Sequence, residues 1–153
     1  MEMPTSEGRS MYAQASTQHQ VVDAVPLQSH GCFIEGTRAD DGDHTDALLL
    51  IDEPTFTGCH VWARPIGVLD MRDEKGMDFK ILCVAEGDPH QAHVERLEQV
   101  RPHRLVEIVN FFETYKLLED KTVEVVGWRD REGALEILRH DRDMWDREQA
   151  RAR

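Results

Sequence analysis

Between Ala47 and Val84 the chain carries three apolar, strand-like runs in succession, with no helical stretch between them. Ala47-Leu48-Leu49-Leu50-Ile51 is continuous and predicts a buried strand. Cys59 to Met71 is rich in Val, Ile and Leu and predicts a longer strand, broken at Arg64-Pro65. Proline has no amide to donate, so Pro65 suits a bulge or an edge. Phe79 to Val84 predicts a third strand, and the Asp73-Glu74-Lys75-Gly76 turn before it makes a hairpin. A doubly wound parallel sheet needs a helix after each strand, which this order does not supply. The pattern favours a small antiparallel barrel with helices packed outside.

Downstream the period changes. From Pro102 to Leu118, the residues Leu105, Ile108, Val109, Phe112, Tyr115 and Leu118 recur three or four apart, which predicts one face of an amphipathic helix. Thr122 to Trp128 is β-branched and alternating, a further strand. Asp130 to about Ala150 predicts a second helix with the sparse stripe Ala134, Ile137, Leu138 and Trp145. Glu53 to Gly58 and Gly87-Asp88-Pro89 read as breaks. Met1 to Gln20 is rich in Ser, Thr, Gln and Gly, so residues 1–25 are expected to form a flexible lead-in and residues 26–153 a single domain.

Composition narrows the chemistry. No segment approaches the roughly 18 apolar residues of a membrane span, and no signal-like run opens the chain, so the cytoplasm is the default. Thirty acidic against 18 basic side chains give a net charge of −12. Such a surface repels nucleic acid and anionic lipid and suits divalent cations, although acidity alone also serves solubility. The 3 cysteines, Cys32, Cys59 and Cys83, form no CxxC pair, which argues against a disulfide framework or a zinc site.

Carboxylates cluster at two places. Asp41, Asp43 and Asp46 fall within six residues in a loop before the first buried strand, where Gly42 allows a tight turn. Alone this suits either a solvated turn or a hard cation that takes oxygen ligands and keeps several waters. Asp73, Glu74 and Asp78 follow on the hairpin, and Asp78 and Lys80, two apart on a strand, point to one face. A carboxylate beside an ammonium suits a metal bound together with a phosphate. Tyr115-Lys116 on the amphipathic helix adds two donors for phosphate oxygens, or a core-edge aromatic and a surface charge.

Taken in order, these blocks resemble the soluble (family I) inorganic pyrophosphatases. Asp41-Gly42-Asp43-His44-Thr45-Asp46-Ala47 is similar to the family's Asp-x-Asp-Pro-apolar-Asp signature. Glu53 to Gly58 resembles its Pro-x-x-Pro-Gly turn, and Arg64-Pro65-Ile66-Gly67-Val68-Leu69 its Arg-Pro-Val-Gly strand. Asp73 to Lys80 resembles its Asp-Glu-x-Gly-x-Asp-x-Lys hairpin, and Phe111 to Lys116 its Phe-Phe-x-x-Tyr-Lys helix. The resemblance runs from about Phe33 to Trp128. It implies an α+β, mainly β fold: an OB-like five-stranded antiparallel barrel with flanking helices, its first strands lacking an equivalent in this chain.

The resemblance also implies a reaction: magnesium-dependent hydrolysis of inorganic diphosphate to two phosphates by direct attack of a metal-activated water. Asp41, Asp46, Asp73 and Asp78 would bind Mg2+, Asp43 would orient or deprotonate the water, and Lys80, Tyr115 and Lys116 would hold phosphate oxygens. The partners implied are pyrophosphate and, as in many bacterial members, further copies of the chain, but neither nucleic acid nor membrane.

Three features depart from the family pattern. His44 and Thr45 replace its proline and apolar residue. Gly31 stands where the family has a phosphate-binding tyrosine. Met1 to Val25 offers Arg9 but no lysine in place of the family's upstream Glu, Lys and Arg, which implies a divergent or truncated N-terminus. These departures leave two alternatives beside the enzyme: a weakened paralogue that binds metal and phosphate in a regulatory role, and hydrolysis of a different phosphoanhydride.

Overall fold

The computed structural model describes residues 20–24, 32–51 and 58–153. The strands are β1 (Gln20–Ala24), β2 (Cys32–Ile34), β3 (Thr45–Leu50), β4 (Cys59–Asp73), β5 (Gly76–Ala85) and β6 (Glu124–Arg129). The helices are α1 (Pro102–Leu118) and α2 (Arg131–Arg151). The sheet order is β1-β2-β3-β5-β4-β6, and β1 also pairs with β4, so the ladder returns to its first strand. β6 lies outside this ring on the far half of β4. The architecture is mainly β and OB-like.

One expectation needs correcting. The barrel is not wholly antiparallel, because β3 and β5 pair in parallel, with Ala47 opposite Ile81 and Leu50 opposite Val84. The reason is topological: β4 and β5 form the hairpin, so β5 reaches β3 running in the same direction. Two strands escaped sequence reading. β1 falls inside the stretch expected to be a lead-in, and β2 has only three residues, too few to show alternation. Gly31 and the turn residues 52–57 lie outside the described residues.

The predicted break at Arg64-Pro65 is a bulge within one continuous strand. β4 shifts register against β5 between Pro65 and Gly67. Gly67 is needed there, because a Cβ would come within 2.9 Å of Leu97 Cδ1 and 3.0 Å of the Arg129 carbonyl. The bulge lets β4 serve two neighbours, β1 at one end and β6 at the other.

Alternation along β5 divides the core between two faces. Ile81, Cys83 and Ala85 pack with Ile34, Ala47, Leu49 and Val68 under Ala134, Leu135, Ile137 and Leu138 of α2. Leu82 and Val84 pack with Leu48, Leu50, Leu69 and Met71 under Ile108 of α1, with Phe112 at the margin. The predicted stripe of α1 is covered only in part: Ile108 is buried, whereas Leu118 is exposed. α2 begins where the Asp130 side chain accepts a bond from Gly133 N at 3.1 Å, a cap that contributes about 1 kcal/mol. Cys32 and Cys83 are buried and Cys59 is half-buried.

Candidate active site

The acidic loop precedes β3 and is tightly wound. Gly42 has φ +90°, a left-handed conformation that glycine adopts at no cost. Ala39 N donates to the Asp43 carbonyl at 2.8 Å, and Asp43 N donates to Asp41 Oδ1 at 2.9 Å. The Asp41 and Asp43 side chains are exposed.

β3 then carries Asp46 on the same face as Leu48 and Leu50. Because Ala47 lies opposite Ile81 in the parallel pair, Asp46 falls beside Lys80. The Lys80 ammonium donates to Asp46 Oδ2 and lies 2.9 Å from Asp78 Oδ1. Its side chain is only 13% exposed, against 45% for Asp46. In the hairpin Leu69 faces Lys80, Met71 faces Asp78 and Asp73 faces Gly76. Asp73 therefore shares the face of Asp78 and Lys80, two cross-strand pairs beyond Met71–Asp78. Its Oδ1 accepts from Lys75 N at 2.8 Å, which shapes the turn.

The electrostatics show a shortage of positive charge. Burial raises the Asp46 carboxyl above its ordinary value, Lys80 opposes this, and the charges of Asp78 and Asp41 push the same way as burial. Burial pulls the Lys80 ammonium down, yet Asp46 and Asp78 outweigh it, so Lys80 is held above its ordinary value. One ammonium thus serves carboxylates that repel one another, and that surplus of oxygen donors fits a hard divalent cation. Among the described residues, no three Asp, Glu, His or Cys side chains converge as a ready-made cage.

α1 borders this face. The Lys80 Nζ stands 5.9 Å from the Phe112 ring centroid. Tyr115, one turn further along, stacks on Phe111 at 5.8 Å. Its hydroxyl bonds to Glu119, which raises the phenol above its ordinary value. Lys116 occupies the next position on the helix. Asp46, Asp78 and Lys80 are therefore in direct contact, Asp73 shares their face, and Asp41 is near enough to act on Asp46. Asp43 sits exposed in the same loop, and Tyr115 and Lys116 lie on the bordering helix.

Sequence reading missed a second group that holds the acidic loop from behind. Thr45 Oγ1 donates to Asp141 Oδ2 at 2.7 Å, and Arg38 N donates to the Asp141 carbonyl at 2.8 Å. Asp141 is buried on α2. Arg38 Nη1 donates to the Gly42 carbonyl at 2.5 Å and its Nε to Glu148 at 2.7 Å, while its guanidinium lies 5.1 Å from the Trp145 ring. A usable signal was present: Asp141 continues the stripe of Ala134, Ile137 and Leu138, and an acid on an apolar stripe marks a buried bond.

Comparison with known proteins agrees with this architecture. The family model described as "Inorganic pyrophosphatase" matches residues 1–146. An inorganic pyrophosphatase of Methanosarcina acetivorans is 52% identical over 113 residues, 74% of this chain and 67% of that protein. One of Nostoc is 53% identical over 98 residues, 64% of this chain and 58% of that protein. The matched segment thus spans about two thirds or less of these relatives' lengths. The solved inorganic pyrophosphatase of Thermus thermophilus superposes with a TM-score of 0.76 at 34% identity, covering 84% of this chain and 90% of that one. Among the described residues, no helix is long and apolar enough to cross a membrane. On fold, on order of motifs and on these likenesses, the chain belongs to the inorganic pyrophosphatase family, the hydrolases of inorganic diphosphate.

Proposed function

We propose that this chain hydrolyses inorganic diphosphate to two phosphates, with Mg2+ as the activating ion. The observation that carries the reading is the half-buried Lys80 ammonium held against both Asp46 and Asp78 beside a further acidic loop. These carboxylates would hold the cation, whose charge would offset the net charge of −12 that otherwise repels a polyanionic substrate. Asp41, Asp46, Asp73 and Asp78 supply the metal-facing oxygens. Bound there, Mg2+ acidifies water and neutralises phosphoryl oxygens. Asp43 takes the proton of the attacking water on its carboxylate as the new P–O bond forms and the bridging P–O bond breaks. Lys80 holds a phosphate oxygen, and Lys116 and Tyr115 do so from α1. For Tyr115 this requires release from Glu119. Little covalent work is asked of the protein, so positioning and charge neutralisation dominate.

The same reading assigns residues 1–25 to a lead-in that ends in β1 and residues 26–153 to the catalytic domain. It also places the protein in the cytoplasm as a homo-oligomer without nucleic-acid or membrane partners. The test is phosphate release from diphosphate as Mg2+ is added. Mg2+-dependent release, lost on chelation, is expected. Magnesium binding without release would leave a phosphate-binding paralogue instead, and release only from larger substrates would mean a different phosphoanhydride.

A further inference from the structure

The two residues that break the family signature, His44 and Thr45, are both engaged by α2 or its neighbours. The His44 ring stacks on Phe33 at 4.8 Å and lies 5.4 Å from Trp145. Its Nδ1 donates to the Thr37 carbonyl at 3.0 Å, which sets the tautomer. Thr45 N donates to Thr37 Oγ1 at 3.0 Å, and Thr45 Oγ1 donates to the buried Asp141. Arg38, on the other limb of the loop, donates its backbone N–H to the same Asp141. One residue of α2 therefore ties both limbs of the loop that carries Asp41, Asp43 and Asp46.

A proline in the signature would stiffen this loop through its fixed φ. His44 lacks that constraint. We infer that in this chain α2 does the stiffening: Asp141 is a positioning residue that, through Thr45, holds Asp46 and the acidic loop in the geometry that binds the divalent cation. The inference rests on the reading of Asp46 and Asp41 as metal-facing groups. The physical basis is local. Thr45 is covalently next to Asp46, so rotation at Thr45 would swing Asp46 away from Lys80. Asp141 is itself held, because its second carboxylate oxygen lies 2.9 Å from His140 Nδ1. Partners one step behind metal ligands commonly set their orientation and affinity.

The experiment uses the full chain, with Mg2+ affinity measured calorimetrically in the absence of substrate. Thr45→Val removes the hydroxyl and keeps the shape, Asp141→Ala removes the acceptor, and Thr45→Ser restores the bond. Thr45→Val and Asp141→Ala are each expected to weaken Mg2+ binding about tenfold, the double variant no more than either, and Thr45→Ser to match the parent. Amide exchange of residues 39–46 without metal should quicken in Thr45→Val and not in Thr45→Ser. Lowered melting temperatures with parental Mg2+ affinity and parental loop exchange would overturn the inference. If the parent bound no Mg2+, the metal reading would fall, and loop exchange would still decide whether Asp141 holds the loop.

Discussion

The Lys80 ammonium lies 2.9 Å from Asp78 Oδ1, its neighbour but one on β5, while also donating to Asp46 across the parallel β3–β5 pair. Replacing it with Met should leave two carboxylates facing each other without a cation. Stability should fall by about 1–3 kcal/mol, held to that range because Asp46 is 45% exposed. Added Mg2+ should recover more stability in Lys80→Met than in the parent. Thermal unfolding with and without magnesium would measure both effects.

Asp43 is exposed in the acidic loop, where its backbone N–H donates to Asp41 Oδ1. Asp43→Asn keeps the shape and removes the proton acceptor. Turnover should drop by about 10²–10⁴-fold, with Mg2+ affinity changed far less. Steady-state kinetics beside a metal titration would separate the two, and unchanged turnover would rule out the base.

His140 bonds to Asp141, which draws the imidazole above its ordinary 6.5. A raised value in the folded state means stability that is full below about pH 6.5 and is lost as pH climbs through the raised value. The His140 side chain is 56% exposed, so solvent screens the effect to below about 1 kcal/mol. The melting temperature of the parent minus that of His140→Gln should be greatest near pH 6 and shrink by pH 9. A difference that does not vary with pH would contradict this.

Burial pushes the Cys83 thiol far above its ordinary value, and Cys32 is buried beside it in the same cluster. Cys59 is half-buried at the start of β4. A thiol reagent should therefore modify Cys59 first, with Cys32 and Cys83 reacting only on the timescale of unfolding. Mass spectrometry of partly labelled protein would give the order.

Much of this was legible in the chain because it is local. The helix predicted from Pro102 to Leu118 has those bounds in the structure, since its period repeats over four turns. The Asp78–Lys80 face followed from alternation alone. β2 was too short to read, and the predicted α2 stripe of Ala134, Ile137, Leu138 and Trp145 leaves out Asp141. The structure buries Asp141 all the same, because burial depends on what packs against a helix and not on the helix's own composition.

By itself, then, the sequence determined the order of β3 to β6 and of the two helices, the hairpin strand on which Asp78 and Lys80 share a face, and the acidic turn before β3. Those rest on neighbours a few residues apart, where periodicity and turn chemistry act directly. Only the tertiary structure decided that β3 runs parallel to β5, so that Lys80 meets Asp46 34 residues away. It alone also decided that Thr45 meets Asp141 at a separation of 96. Such contacts depend on strand register and on where a helix docks, and both are set by closing the whole core rather than by any segment within it.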